Sequence, residues 1–499
     1  MLCLQSLIMK HTVAFIISIF PFLIVFGQTV NPAIKYFTPS NHTRMAAEWE
    51  PAQGVLFAWP PSIPHALIKE LAHDTRLFVL IDSDRNRQDA TKWFSEWKIE
   101  STKVKFIKSP HGVDVSWTRD WGPHAFFRPG QKMKLADGKY LYATPVVDLE
   151  CDSLNFLYKN KDGSIIQTTV DDVIPDYIAN ELNMNIDHLP FAFTGGNVFF
   201  DGQQTAFSTC ALTMENKYMG IADTAFFSLA DKMLGIKQYH IISNFEKKGI
   251  QHIDCFMKLL DDERMLVMRP PADHPLFAQY EKMVHEELAG LLNPFGRPYQ
   301  ILRLDTDSYS KQKLAAYSNS LILNKCIYVP LFGIPQDTIA LTQWKGAMPG
   351  YKIKGFEFKL KDEPALSEDA KKNYSEIGWT DGDALHCRTR AIWDPNMIYI
   401  SVDRVPSFIK NKIKINAIIK NYGEGQLNTP ELIWRKNTKA QWRKTKMAKS
   451  GTLDLFTASV KNNNINGLNF YVTATSSKGI NNSMPLTAPN GYYSYSITK

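Results

Sequence analysis

The chain has 499 residues, 44% of them hydrophobic, so it is long enough to bury a large core and too apolar to be a disordered chain. Its 57 basic and 50 acidic residues leave a net charge of +7, a small excess that does not require a nucleic-acid partner. At roughly 150 residues per domain, this length suits two or three domains.

The N-terminus carries a targeting pattern. Lys10 and His11 precede the apolar run Thr12–Phe26, which is the order found in a secretory signal peptide. The run is short for a membrane-spanning helix, and no later segment reaches the roughly 20 apolar residues that a bilayer requires. We therefore expect residues 1–28 to be a signal peptide and 29–44 a linker. The mature protein is expected to be secreted, periplasmic or on the cell surface, with no stable membrane insertion.

The cysteines indicate a free thiol. Cys3 leaves with the signal peptide, so five cysteines remain, and an odd number cannot all form disulfides. In an exported protein a free thiol is either protected by burial or used as a nucleophile. No two cysteines have the spacing of a structural zinc site. The five are Cys151, Cys210, Cys255, Cys326 and Cys387.

Residues 45–404 alternate short apolar strands with helix-like segments, which predicts an α/β catalytic domain. The predicted strands are 53–59, 77–81, 103–107, 192–200, 265–268, 320–329 and 398–401, and the predicted helices are 63–72, 172–182 and 276–292.

The pattern changes at about Val405. Helical periodicity is lost, and β-rich runs at 413–419, 431–434, 453–460 and 468–475 alternate with polar turns. Residues 405–499 are therefore predicted to form a small immunoglobulin-like β-sandwich that binds a partner or packs on the first domain. Basic residues concentrate here, which we interpret as a solvated face rather than a polyanion site.

The first candidate site motif is Trp117-Thr118-Arg119-Asp120, which runs on into Trp121-Gly122-Pro123-His124. It is expected to be a strand that ends at the mouth of a pocket. The alternative is a buried ion pair between Arg119 and Asp120 beneath a turn.

The second motif is His252-Ile253-Asp254-Cys255. On a strand, His252 and Asp254 would face the same side, which suits acid–base chemistry. The alternative is a histidine at the surface or at the edge of the core. Cys255 is interpreted as a buried packing residue.

Two further segments present amide side chains. The glycine turn Thr194–Asn197 lacks the lysine and helix of a phosphate-binding loop, so a structural hairpin with Asn197 near the pocket is expected. Tyr317–Leu321 presents Asn319 at the start of a strand.

The last motif contains Cys387, which follows the acidic glycine turn Asp381–Asp383. Neighbouring side chains on an extended chain point to opposite faces. His386 is therefore expected to point away from the thiol, whose histidine partner should be His252, distant in sequence.

Taken in order, 117–120, 252–254, 317–320 and 383–388 resemble the bacterial peptidylarginine deiminase and agmatine deiminase family, over a span from about Glu48 to about Asp403. The resemblance implies a pentein, a five-bladed α/β propeller around an acidic pocket. The signal peptide and the late sandwich are more like the secreted peptidylarginine enzyme than the cytosolic agmatine enzymes.

The resemblance also implies a role for each motif in hydrolysing a guanidinium. Asp120 and Asp254 would bind the cation, Cys387 would form a covalent adduct, and His252 would protonate the departing ammonia and then activate water. Two nearby carboxylates should raise the pKa of the empty-site thiol, so the bound cation should help create the thiolate. No metal or cofactor is expected.

The substrate is expected to be peptidyl arginine, with Asn319 in the pocket and Trp117 covering the apolar stem. The secreted family member carries arginines near the segment that matches 147–160, whereas this chain has none there. Asp148 and the acids close to it would favour a second positive charge, as in agmatine, unless they lie outside the pocket.

Three other functions remain open at this point. Amidino transfer would use the same fold with an amine as acceptor. A cysteine protease would use Cys387 and His252 without a pair of acids to bind a cation. A non-enzymatic surface protein would bind through the sandwich.

Overall fold

The computed structural model describes residues 42–109, 117–141, 170–243, 252–366, 377–404, 407–409, 412–451, 454–461 and 467–496. The expected signal peptide, the linker up to residue 41, and the segment 147–160 with Asp148 lie outside the described residues.

Helices and strands alternate through the described residues between 44 and 402, so the predicted α/β rhythm is confirmed. The helices, in chain order, are α1 His65–Asp74, α2 Asp84–Glu96, α3 Thr118–Trp121, α4 Ile174–Leu182, α5 Cys210–Tyr218, α6 Asp223–Leu234, α7 Phe277–Met283 and α8 Gln336–Ala347. The strands are β1 Arg44–Met45, β2 Ala52–Ala58, β3 Arg76–Ile81, β4 Val104–Lys108, β5 His124–Phe127, β6 Lys134–Lys139, β7 Ile186–Ala192, β8 Phe199–Phe200, β9 Thr205–Thr209, β10 Gln238–Ile242, β11 Met257–Leu259, β12 Arg264–Arg269, β13 Gln300–Asp305, β14 Ser308–Ser310, β15 Lys313–Leu314, β16 Leu321–Leu323, β17 Cys326–Leu331, β18 Lys352–Glu357, β19 Arg390–Trp393, β20 Ile398–Val402, β21 Ser407–Ile409, β22 Lys412–Asn421, β23 Glu431–Arg435, β24 Arg443–Lys446, β25 Ala448–Lys449, β26 Leu455–Lys461, β27 Gly467–Thr475, β28 Asn481–Met484 and β29 Tyr493–Ser496.

One connectivity recurs in five sheets. In each, an outer strand pairs antiparallel with a central strand, and a helical connection returns the chain to a third strand parallel to the central one. The five are β19-β2-β3, β5-β6-β7, β8-β9-β10, β11-β12-β13 and β16-β17-β18. The first is assembled from both ends of this region, because β19 pairs with β2 through Arg390 opposite Leu56.

Local signals set several helix ends. Ser83 begins α2 by accepting a hydrogen bond from the backbone N–H of Asn86 at 3.2 Å, and the helix buries Ala90 and Phe94. Helix α6 ends at Gly235, whose φ of 74° is a left-handed conformation that glycine adopts without strain. Such signals place the connections between strands.

Three predicted elements are interrupted, and one of them is the strand expected at 320–329, which is a hairpin of β16 and β17 with a turn at Asn324 and Lys325. The strand expected at 192–200 is the end of β7, a short 3-10 turn over Gly195–Asn197 and then β8. The helix expected at 276–292 is α7 followed by a π-helical turn over Val284–Leu288. The pair Gly195 and Gly196 explains the break between β7 and β8, because glycines let the chain turn tightly at this point.

The late part of the chain forms two antiparallel sheets. One has the order β20-β22-β26-β25 with β21 also on β22, and the other has the order β24-β23-β27-β28 with β29 on β27. Strand β20 belongs by sequence to the first predicted domain, yet it pairs along its length with β22. One hydrophobic cluster includes Val55 and Val267 together with Ile400 and Val472. The immunoglobulin-like assignment and the boundary at 404 stay predictions.

None of the helices within the described ranges is long and apolar enough to cross a membrane.

Candidate active site

Five of the candidate site residues lie in connections between the recurring three-stranded units. Asp120 lies between β4 and β5, Asn197 between β7 and β8, Asp254 between β10 and β11, Asn319 between β15 and β16, and Cys387 between β18 and β19. Each unit therefore supplies one loop to the site, which explains why motifs so far apart in sequence can meet.

Three of the predicted residues converge on Gly196. The backbone N–H of Gly196 donates to Asp120 Oδ1 at 3.0 Å. A Cβ at this position would lie 2.4 Å from Asp120 Oδ1, 2.9 Å from His252 Nδ1 and 3.4 Å from Asp254 Oδ2. Only a glycine allows the two acids and the histidine to come so close to the backbone.

The local conformations differ from those expected. Thr118–Trp121 is a one-turn helix rather than the end of a strand, because Gly122 and Pro123 follow immediately and turn the chain. Ile253–Cys255 is a 3-10 turn rather than a strand, so the alternation of a strand does not explain why His252 and Asp254 both approach Gly196. Asn197 secures this turn, because its Oδ1 accepts from the backbone N–H of Ile253 at 3.1 Å.

Arg119 and Asp120 do not form the alternative ion pair in the described part of the chain. The Arg119 Nε donates to the carbonyl of His386 at 3.4 Å, whereas Asp120 accepts from Gly196. Trp117 lies just before α3 and is half-buried.

The thiol of Cys387 is fully buried and faces both an amide and a carboxylate. Asn319 Nδ2 lies 3.2 Å from Cys387 Sγ, and Asp254 Oδ2 lies 3.7 Å from it. An ion pair holds the loop, since the buried Arg388 donates to both oxygens of the partly exposed Asp383 at 2.9 and 2.7 Å. The structure therefore brings the predicted nucleophile beside the predicted acid and amide.

His386 also faces the site. Its Nδ1 lies 2.6 Å from Asp254 Oδ2, the same oxygen that the thiol of Cys387 contacts. The expectation that His386 and Cys387 point to opposite faces is therefore wrong. The reason is that the chain turns through residues 381–388 instead of being extended.

Cys255 is buried, as predicted, and it contacts the same acid. Its Sγ lies 3.6 Å from Asp254 Oδ1 and 3.6 Å from the carbonyl of Gly382. The prediction of a packing residue was therefore correct about burial but missed this contact with the site.

Burial and mutual charge separate the protonation states of the two acids. Burial and the nearby Asp254 raise the pKa of Asp120 well above its usual range. Burial also acts to raise the pKa of Asp254, but the hydrogen bond and charge of His386 outweigh it and lower the pKa. Two neighbouring carboxyls whose pKa values are shifted in opposite directions are characteristic of acid–base sites.

Burial leaves both the thiol of Cys387 and the imidazole of His252 uncharged at neutral pH. Burial, followed by the charges of Asp254 and Asp383, raises the pKa of Cys387 well above its usual value, as expected from the sequence. Burial lowers the pKa of His252 to about 4, although Asp254 opposes it. At neutral pH the site therefore contains a neutral thiol and a neutral imidazole, and the imidazole is able to act as a base.

Two charged residues behind the site were not identified from the sequence. Glu48 Oε2 lies 2.9 Å from His386 Nε2, and Lys258 Nζ lies 3.3 Å from the same oxygen. A lysine between the apolar residues Met257 and Leu259 of a short strand was the available signal, because a buried lysine requires a partner.

The described part of the chain also contains one group of side chains with metal-ligand spacing, Glu70, His73 and Asp74. Lys354 Nζ already contacts Glu70 Oε1 at 2.5 Å and also contacts Asp74. Because an ammonium neutralises these acids, the cluster is an ion-pair site at the surface of α1.

The Gly196→Ala variant should lose most of its activity while remaining folded. Its Cβ would displace Asp120 and His252, and a misplacement of about 1 Å at reacting groups costs roughly 100-fold in rate. The kcat/KM of purified protein measures this. The control is Gly290→Ala, because a Cβ at residue 290 meets nothing within 4 Å. Equal losses in the two variants would contradict the crowding at Gly196.

Comparisons with known proteins agree with this arrangement. A model of the Porphyromonas-type peptidyl-arginine deiminase family matches residues 44–360, a span that contains Asp120, His252, Asp254 and Asn319. A protein assigned as an agmatine deiminase in Vibrio parahaemolyticus is 22% identical over 350 residues, which are 62% of this chain and 89% of that protein.

Two solved structures have the same fold. The protein of Porphyromonas gingivalis assigned as an arginine deiminase superposes with a TM-score of 0.52 at 19% identity, covering 70% of this chain and 98% of that one. The agmatine deiminase of Enterococcus faecalis superposes with a TM-score of 0.52 at 16% identity, covering 71% and 96%. The chain belongs to the Porphyromonas-type peptidyl-arginine deiminase family and is a hydrolase of carbon–nitrogen bonds.

Proposed function

We propose that this protein hydrolyses an arginine-type guanidinium to a ureido group and ammonia through a covalent adduct on Cys387. One observation carries the proposal. Asp120, His252 and Asp254 converge around Gly196, and the same Asp254 oxygen contacts the thiol of Cys387. A guanidinium held by the two acids would have its central carbon next to that thiol.

The two acids suit a planar cation. A guanidinium presents its N–H groups as a fork, which carboxylates bind in pairs of charge-assisted hydrogen bonds. Asp254 is ionised in the empty site, and the arriving positive charge favours loss of the proton from Asp120. Binding would thus complete the anionic site that the cation needs.

The same cation activates the nucleophile. The positive charge offsets the carboxylates that raise the pKa of Cys387, so the thiol proton can pass to His252. The thiolate is then formed next to its target, and His252 becomes the acid required in the following step.

The bonds balance over two half-reactions. The Cys387 sulfur bonds to the guanidinium carbon, and that carbon loses one nitrogen as ammonia with the proton held by His252. His252 then takes a proton from water, the hydroxide adds to the thiouronium carbon, and the carbon–sulfur bond breaks to release the ureido product and the thiolate. His252 returns its proton to the thiolate, and the hydroxyl proton lost in the collapse ends on the ammonia. The sum is therefore one guanidinium and one water giving one ureido group and one ammonium.

Peptidyl arginine is the proposed substrate, supported by the family model. Agmatine is the second candidate, because the Vibrio and Enterococcus relatives carry that assignment. Asp148, on which the sequence argument for agmatine rests, lies outside the described residues.

We further propose that the five three-stranded units surround one central pocket, because each contributes a loop to the same site. Export is proposed from the N-terminal pattern. Cys210 supports it, since this residue is disulfide-bonded and structural disulfides persist in oxidising compartments.

The deciding experiment incubates the purified protein with agmatine, free arginine, and peptides with internal or C-terminal arginine. We expect equal amounts of ureido product and ammonia from at least one of them. Peptide cleavage without ureido product would favour a protease, and guanidine transfer to an added amine would favour an amidinotransferase. The absence of ureido product from every substrate would overturn the proposal.

A further inference from the structure

The ring of His386 is fixed between two buried carboxylates. Nδ1 lies 2.6 Å from Asp254 Oδ2, and Nε2 lies 2.9 Å from Glu48 Oε2. The backbone is held as well, because the N–H of His386 donates to Asn319 Oδ1 at 2.9 Å. None of the side chain is exposed. The ring therefore has one orientation in which it serves both acids.

The two ring contacts determine how many protons, and therefore how much charge, these three groups share. When both contacts are hydrogen bonds, each contains a proton, and two protons are then shared by Asp254, His386 and Glu48. Burial and the Arg119 guanidinium lower the pKa of His386, while Glu48 and Asp254 act in the opposite direction. In that state the three groups carry a net charge of −1.

Lys258 supplies the opposite charge. Its Nζ lies 3.3 and 3.5 Å from the two oxygens of Glu48, and its side chain is completely buried. The backbone N–H of Ile322 donates to Glu48 Oε1 at 3.1 Å and fixes the carboxylate from the other side. The chain Asp254–His386–Glu48–Lys258 is thus neutral as a whole, which makes its burial tolerable.

We propose that His386 is a positioning residue that holds the Asp254 carboxylate in the orientation and charge state needed to bind a guanidinium, with Glu48 and Lys258 fixing its ring. This inference rests on the proposed function. The shortest contact of the Asp254 carboxylate is the one to His386, whereas the thiols of Cys255 and Cys387 lie at 3.6 and 3.7 Å. A buried carboxylate without a strong donor takes up a proton.

Other titratable groups surround the pair and are common to all the variants compared below. They are Arg119 and Lys258 beyond the ring, and Asp120, His252, Cys255 and Cys387 around Asp254.

Two substitutions separate the two ends of the ring. In the His386→Asn variant, the side-chain amide nitrogen lies near the position of Nδ1 of the original ring and can still donate to Asp254. The amide nitrogen of His386→Gln falls near Nε2 and can donate only to Glu48. We expect kcat/KM of the Gln variant to be at least about tenfold below that of the Asn variant. The acid limb of its pH profile should also move to higher pH, because Asp254 then needs more alkaline conditions to ionise.

A second measurement needs no substrate. In the Gln variant, Asp254 should carry less negative charge at neutral pH, so the pKa of Cys387 should fall. Its alkylation by iodoacetamide, followed on the Cys387 peptide by mass spectrometry, should be faster at pH 7 than in the Asn variant. Asp254→Asn serves as the reference for a site without that charge. Equal thermal midpoints of the two His386 variants would exclude a difference in folding.

The outcomes are distinct. Equal kcat/KM, superimposable pH profiles and equal alkylation rates in the Asn and Gln variants would overturn the role of His386. Ureido product absent from the wild type would overturn the proposed function, and the alkylation rates would still decide the role of His386. If the His386 variants do not fold, Glu48→Gln replaces them. It should speed alkylation at pH 7, and an unchanged rate would overturn the proposal.

Discussion

Replacing Cys387 by alanine is expected to abolish formation of ureido product, with kcat reduced by roughly 10⁴-fold or more. The thiol is the group that would bond to the guanidinium carbon, and neither Asn319 nor Asp254 beside it can replace a thiolate. Binding should persist, because the two acids remain. The measurement is single-turnover formation of ureido product together with calorimetric binding of agmatine or an arginine peptide.

Cys326→Ala is the matched control for that experiment. Cys326 is also a buried free thiol, but it lies in β17 and faces Asp74 rather than the site. This variant should keep kcat within about threefold of the wild type, as is usual for a small change away from reacting groups. Release of ammonia by the Cys387→Ala variant at the wild-type rate would contradict the assignment of Cys387 as the nucleophile.

Replacing Arg404 by leucine is expected to lower the free energy of unfolding by about 3–5 kcal/mol. Arg404 Nη2 donates to Asp262 at 2.7 Å, and Nε contacts Glu263. Its guanidinium also lies 4.2 Å from the ring centre of Phe295 and 4.3 Å from that of Tyr493. The substitution leaves the buried Asp262 carboxylate without its counter-ion.

The sign of the pH dependence follows from Asp262. Burial raises its pKa to about 6, even though Arg404 opposes the shift. A carboxyl whose folded pKa lies above its unfolded value of about 3.9 destabilises the protein as pH rises through that window. Loss of Arg404 raises the pKa of Asp262 in the folded protein further. The loss in free energy of unfolding should therefore be larger at pH 8 than at pH 5.

Urea unfolding at both pH values measures this effect. Arg85→Leu is the control, because Arg85 is exposed on α2 and its loss should change the free energy of unfolding by less than about 0.5 kcal/mol. A deficit in Arg404→Leu that is as small as the control, or that grows towards pH 5, would contradict the buried ion pair.

The residues that perform the proposed chemistry could be found from the sequence, because their types are restricted by that chemistry. Asp120, His252, Asp254 and Asn319 were identified from three short motifs, and the structure brings them to Cys387 of the fourth. Their conformations could not be predicted in the same way. Thr118–Trp121 forms one turn of helix that ends at Gly122 and Pro123, and the motif at His252 continues into a 3-10 turn.

The supporting charges were harder to predict from local patterns. Glu48, Lys258 and His386 come from three distant segments, and only Lys258, between two apolar residues of a short strand, has a local signal. His386 was misjudged because the rule for extended chains was applied to a turn.

The alternation of helices and strands was predictable because hydrophobic periodicity is local. Strand partners were not, because pairing depends on contacts between distant segments. Strand β19 pairs with β2 more than 300 residues earlier in the chain, and nothing in either strand specifies the other.

The pairing of β20 bears on how this protein can be shortened. A gene cut after residue 404 would retain β20 but delete β22, leaving five buried residues of a strand with no hydrogen-bonding neighbour on that side. The fragment would expose Ile398, Ile400 and Val402 on a bare edge, which is a template for association between chains. Recombinant work on the catalytic region therefore requires the later sheets as well, although every candidate site residue precedes them.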